Sequence, residues 1–141
     1  MIVDLILQGN FAAARANIKA SSFSEVFESE ILPTAFDNAS VTFYGFLFSM
    51  IVQEESAELH YFASRLMSTA LCHLPGGYQT GFYHMKRAIE LEPDDIGFKK
   101  DMLLYHDIPE TLLSHDEARA IAQEILKADS SHKIAQAIVN L

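Results

Sequence analysis

Apolar residues recur along this chain at intervals of three and four, the period of a helix buried on one face. The spacing predicts short helices over 2–8 and 11–19, the first stopped at Gly9-Asn10 and the second carrying Phe11, Ala14 and Ile18 on one side. Ser22 and Glu25 fit a capping box that opens a third helix running to about Phe36, with Pro33 implying a kink or a break. Residues 37–40, DNAS, supply a turn and a fresh cap. The fourth helix, 41–52, is apolar on nearly every side and is expected to be the central buried one. A strand is its rival, since an apolar run alone does not separate the two. Gly45 within it suggests the close approach of a neighbouring helix.

The second half continues the pattern. Ser56 opens a fifth helix with Leu59, Phe62, Ala63, Leu66, Ala70 and Leu71 as its stripe, ended by Pro75-Gly76-Gly77. The sixth holds Tyr78, Gly81, Phe82, Met85, Ala88 and Ile89 on one face. Asp94 or Asp95 caps a seventh helix to about Tyr105, and a helical turn is expected from Ile108 to Leu113. Ser114 and Glu117 form a second capping box before a helix with Ala118, Ile121, Ala122, Ile125 and Leu126 inward. Asp129-Ser130-Ser131 caps the last helix, with Ile134, Ala137, Ile138 and Leu141 on one side. Each stripe carries about five side chains, worth roughly 1.5–3 kcal/mol apiece once a neighbour covers them. The expectation is a single all-α domain over 1–141, a short right-handed stack of about eight helices.

Composition agrees with that picture. The 141 residues are half hydrophobic, with ten Phe and five Tyr, and contain only six Gly and four Pro. Disorder and a hairpin-rich sheet are both disfavoured. One cysteine, Cys72, cannot form an internal disulfide. The first ten residues, MIVDLILQGN, have no basic leading segment and include Asp4, unlike a secretory signal. The apolar run 41–52 is far shorter than the roughly 20 residues that cross a bilayer. A soluble, cytoplasmic protein without membrane association is expected.

Charge narrows the class of partner. The formal net charge is −9, which argues against direct nucleic-acid binding. No Lys or Arg occurs between Lys19 and Arg65, whereas that interval holds Glu25, Glu28, Glu30, Asp37, Glu54, Glu55 and Glu58. A solvated acidic surface is one reading; a negative patch that steers a basic protein partner is the other. The seven acids are the candidate protein-binding residues.

Catalytic and metal chemistry find no comparable signal. The six histidines, at 60, 73, 84, 106, 115 and 132, include no pair three or four apart, and neither HExxH nor a cysteine pair is present. Cys72-His73 reads as a helix end, and Cys72 as a core thiol rather than a nucleophile. Glu54, Glu55 and Glu58 surround a helix start, where carboxylates favour the helix dipole without any catalytic role. Gly76-Gly77 has neither the preceding strand nor the following Gly-Lys-Ser/Thr of a phosphate loop. No catalytic residue, metal or cofactor is expected.

The stretch 78–95, YQTGFYHMKRAIELEPDD, resembles the second half of a tetratricopeptide repeat: a glycine turn and Tyr78, then Gly81, Met85, Ala88 and Pro93. Ala118, Ala122, Ile125 and Ser130 echo it at a spacing of 37 instead of 34. Gly9-Asn10-Phe11 with Ala14 is a weaker echo. Arg65, Ser68 and Thr69 stand where the family prefers Trp, Leu and Gly. The resemblance implies helical hairpins and a binding surface, with Ala63, Leu66, Ala70 and His73 lining a groove that lacks the Asn and Lys used to clamp a peptide carboxylate. More loosely, the size, the acidity and the passage LCHLPGGYQTGFYHMKRAIELEPDD look like small bacterial immunity proteins that neutralise contact-dependent toxins. The functional expectation is therefore a non-enzymatic protein that binds another protein stoichiometrically, most concretely an immunity protein covering a basic toxin domain such as a nuclease. The alternative is a regulatory or scaffolding repeat protein that holds a peptide or self-associates.

Overall fold

The computed structural model describes residues 1–19 and 22–141. These are all-helical, with no strand among them, and form about nine helical bodies. In chain order they are α1 (Ile2–Leu7), α2 (Phe11–Ala16), α3 (Phe23–Val26), a π-helical segment (Phe27–Ile31), α4 (Leu32–Asp37), α5 (Thr42–Gln53), α6 (Ala57–Ser68), α7 (Gly77–Leu91), α8 (Ile96–Met102), α9 (Leu104–Asp107), α10 (His115–Ala128) and α11 (Lys133–Val139). The strand reading of 41–52 is excluded.

Sequence punctuation accounts for most of the boundaries. The Ser56 side chain accepts from the Leu59 amide at 3.1 Å, Asp95 from Phe98 at 3.0 Å, and Ser114 from Glu117 at 3.2 Å. Each satisfies one of the amides that a helix start leaves unpaired. Three expectations need correction. Ser22 precedes α3 but makes no side-chain capping bond. Residues 108–113 form a turn, with Thr111 at φ 44°, and not a short helix. The last helix is capped by His132, whose Nδ1 accepts from Ala135 at 3.2 Å, and it buries Ala135 and Ile138 while Ile134 and Leu141 face outward.

Pro33 neither breaks its helix nor leaves it regular. It sits in the first turn of α4, directly after the π-helical segment. A proline ring crowds the carbonyl four residues back and offers no amide to it. The wider π turn accommodates both and keeps Phe27 and Ile31 buried, with the Phe27 ring stacked on Phe62 at 4.5 Å.

The apolar interior is divided. One cluster, drawn from Ile6 to Leu71, gathers α1 to α6; a second, from Met85 to Ile138, gathers α7 to α11. Helices α6 and α7 pack along each other at the boundary. Gly81 permits their approach, since a Cβ there would overlap the Ser68 hydroxyl, and Gly77 fits against the turn that joins them, where a Cβ would lie 2.6 Å from the Leu71 carbonyl. Gly45 plays the role its position suggests, with the Phe11 ring 3.2 Å from where its Cβ would be.

Candidate functional site

The boundary between the two cores is polar. His60, Ser64, Ser68 and His84 are the buried polar side chains among the described residues, and all four lie on the facing sides of α6 and α7. One turn's spacing on α6 aligns His60, Ser64 and Ser68, and the same spacing on α7 aligns Gly77, Gly81, His84 and Ala88. At one end of this seam the Tyr105 hydroxyl meets Ser64 Oγ at 2.8 Å and Ser68 Oγ at 2.5 Å. No buried side-chain nitrogen or oxygen among the described residues lacks a partner. A fully satisfied polar layer of this kind specifies which helix faces pair, because any slip would strand a buried polar atom.

At the other end lies a network of six side chains from three helices and a loop. Arg87 donates to Glu55 through Nε at 2.9 Å and Nη2 at 3.0 Å, and to Glu90 through Nη1 at 3.1 Å. Glu55 Oε2 lies 2.7 Å from His60 Nε2, His60 Nδ1 lies 2.8 Å from His84 Nδ1, and His84 Nε2 lies 2.8 Å from the Tyr44 hydroxyl. Hydrogen bonds from Arg87 and then His60 hold the Glu55 carboxyl down to about 2, so it is an acceptor only. Burial, then the neighbouring His60, lowers His84 to about 4. Burial and Tyr83 push the Tyr44 phenol up.

When both imidazoles are neutral, one arrangement of protons satisfies every contact. Glu55 accepts, so His60 carries N–H on Nε2. With one proton per ring, His60 Nδ1 accepts from His84 Nδ1–H, and His84 Nε2 accepts from the Tyr44 O–H. Every bond then points from Tyr44 toward Glu55.

Tyr44 brings this chain to the surface. It is half-buried on α5, with Phe48 one turn on and their ring centroids 6.2 Å apart. Helix α5 is not the central buried helix its composition suggests. It buries Phe43, Phe46, Leu47 and Ile51, but Phe48 is 47% and Val52 68% exposed, with Val41 just ahead of the helix 63% exposed, values that leave an apolar strip on its outer face. Tyr83, 59% exposed on α7, packs edge-on against His84 at 5.0 Å.

The seven candidate acids fall into separate settings. Glu55 belongs to the seam. Glu28 pairs with Arg65, whose guanidinium lies 5.7 Å from the Phe27 and Tyr61 ring centres. Glu54 and Glu58 border a cleft of about 360 Å³ shared with Arg15 and Phe23. Glu25, Glu30 and Asp37 are exposed on the helix spanning 23–37. Of the residues assigned to a repeat groove, Ala63, Leu66 and Ala70 are buried in the first core and only His73 is exposed.

Chemically, the seam can hold and relay protons between the surface at Tyr44 and the Glu55–Arg87 pair. Among the described residues no group of three or more His, Cys, Asp or Glu is placed to hold a metal ion, and no helix is long and apolar enough to cross a membrane. His60 and His84 escaped the motif search because their pairing is between helices. The available signal was the position of His84 within the small-residue stripe Gly77, Gly81, Ala88. Comparison with protein-family models, with curated proteins and with solved structures gives no match.

Proposed function

We propose that this chain is a non-enzymatic protein-binding protein that docks its partner on the outer face of α5. The observation that supports this most is the strip Val41, Phe48 and Val52, with Tyr83 alongside, left uncovered on a helix whose other face is core. Aromatic and aliphatic anchors within a polar rim are the composition of a docking surface. The net charge of −9 favours a partner with apolar anchors and a basic rim. The immunity-protein reading is the concrete form of this proposal: a basic toxin domain has that complementary charge, and occlusion of its active surface requires no chemistry from the inhibitor.

The test is affinity capture from host lysate with the wild type and with Phe48→Asp/Val52→Asp. The double variant is expected to keep its helical circular dichroism and lose the captured protein, while Asp116→Lys on α10 retains it. Identical capture by all three would reject this face. For the immunity form, co-expression with a basic toxin domain from a neighbouring reading frame restores growth for the wild type and not for the double variant.

A further inference from the structure

The hydrogen-bond chain that ends at Tyr44 runs directly beneath the proposed docking face. It accepts one added proton in only one way. His60 Nε2 already carries a proton for Glu55, and the two Nδ1 atoms, 2.8 Å apart, have room for one proton between them. The sole remaining lone pair is on His84 Nε2. Whether the positive charge settles on His60 or on His84, the added proton therefore appears as an N–H on His84 Nε2, aimed at Tyr44. Tyr44 then becomes the acceptor, and its own O–H must turn away from the interior. A second added proton would set two N–H groups against each other and is excluded.

We propose that the His60–His84 pair is a proton sensor for the α5 docking face: uptake of one proton reverses the Tyr44 hydroxyl and places a cation beneath the strip that receives a basic partner. This inference rests on the docking reading and supplies its regulation. The charged and titratable groups around the pair come from every packed element: Tyr44 on α5, Glu55 ahead of α6, and Tyr83 and Arg87 on α7, with Glu90 behind Arg87. Arg87 occupies Glu55, so the carboxylate is not free to turn inward and neutralise the added charge completely. Two docking residues register the change directly, since Phe48 packs on the Tyr44 ring and Tyr83 on the His84 ring. In acid the face repels a basic partner and releases it.

The experiment uses the free protein and no partner. Imidazole nitrogen and aromatic carbon resonances are followed by NMR from pH 8 to pH 3.5, with the proton as the only ligand. His84, Tyr44 and Phe48 are expected to shift together with one midpoint. Glu55→Gln removes the negative charge that favours the cation and should lower that midpoint by about one pH unit. Tyr44→Phe, which keeps the ring, should leave His84 titrating while Phe48 no longer follows it. His84 titrating without any response at Tyr44 and Phe48 overturns the proposal, as does a midpoint unmoved in Glu55→Gln; if that variant unfolds, Tyr44→Phe with Phe48 still following His84 overturns it equally. Failure here leaves the Phe48-dependent capture standing, whereas loss of the docking face would show in capture with the titration intact.

Discussion

The Tyr105 hydroxyl occupies space that a side chain on Gly81 would need, lying 2.8 Å from where a Cβ would sit. The hydroxyl is held there by Ser64 and Ser68, so it is not the far end of a freely moving side chain. Gly81→Ala should therefore destabilise the fold although alanine is the better helix former. Overpacking costs about 1–3 kcal/mol, against roughly 1 kcal/mol gained in propensity. Urea denaturation should show a lower midpoint. Adding Tyr105→Phe and Ser68→Ala should recover part of the loss, because the two nearest atoms that Cβ meets are then gone.

Acid should weaken the fold in two successive windows. His84 has its folded value lowered to about 4 by burial and His60. Between the ordinary imidazole value of about 6.5 and about 4, the unfolded chain binds a proton that the native chain refuses, so stability falls as pH falls. A displacement of that size corresponds to roughly 3 kcal/mol once the window is crossed. Glu55, held down to about 2 by Arg87 and His60, adds a second loss below the usual carboxylate range. Denaturant melts at pH 7.5, 5.5 and 4 should reveal the first slope, and His84→Gln should flatten it. A stability profile that is level between pH 7 and 4.5 would contradict the buried neutral ring.

How far the sequence carried the fold depended on whether an element's fate is decided locally. Ser56, Asp95 and Ser114 announced their helices because a capping bond spans three residues and needs no tertiary partner. Pro33 announced a disturbance but not its form, since the π turn depends on keeping Phe27 and Ile31 against α6. The face of α5 was misjudged because a helix apolar on every side has no periodic signal telling buried from open. The seam was illegible for a different reason. His60 and His84 stand 24 residues apart, and only the pairing of α6 with α7 brings their Nδ1 atoms together. Of the seven acids the sequence singled out, Glu55 turned out to serve the interior and Glu28 an ion pair.

Phe46 and Phe48 provide a contrast that checks the orientation of α5. Phe46 is fully buried and packs near Phe11, with ring centroids 5.8 Å apart, whereas Phe48 is nearly half exposed. Phe46→Ala should cost about 3–5 kcal/mol, the range for emptying a core aromatic site. Phe48→Ala should cost about 1 kcal/mol, since only about half of its surface leaves water on folding. Equal costs in chemical denaturation would mean that α5 is rotated from the arrangement described.

Glu54, Glu55 and Glu58 are near neighbours in sequence, yet their reversal to lysine should have different consequences. Glu54 and Glu58 are exposed and border a cleft that contains only one basic group, Arg15, so Glu54→Lys/Glu58→Lys should leave the melting temperature within a few degrees of the wild type. Its effect belongs to association: at low salt the on-rate for a basic partner should fall severalfold and lose most of its dependence on ionic strength, because steering acts through the summed charge at the rim. Glu55→Lys places a cation against both Arg87 and His60, where the native chain has their shared acceptor. It should therefore lower the melting temperature and release the tautomer order of the histidine pair, visible as altered His84 nitrogen shifts in the free protein. Stopped-flow association alongside thermal melts separates the two effects. If all three lysine substitutions slowed association equally and spared the fold, Glu55 would be part of the rim and the seam would not depend on it.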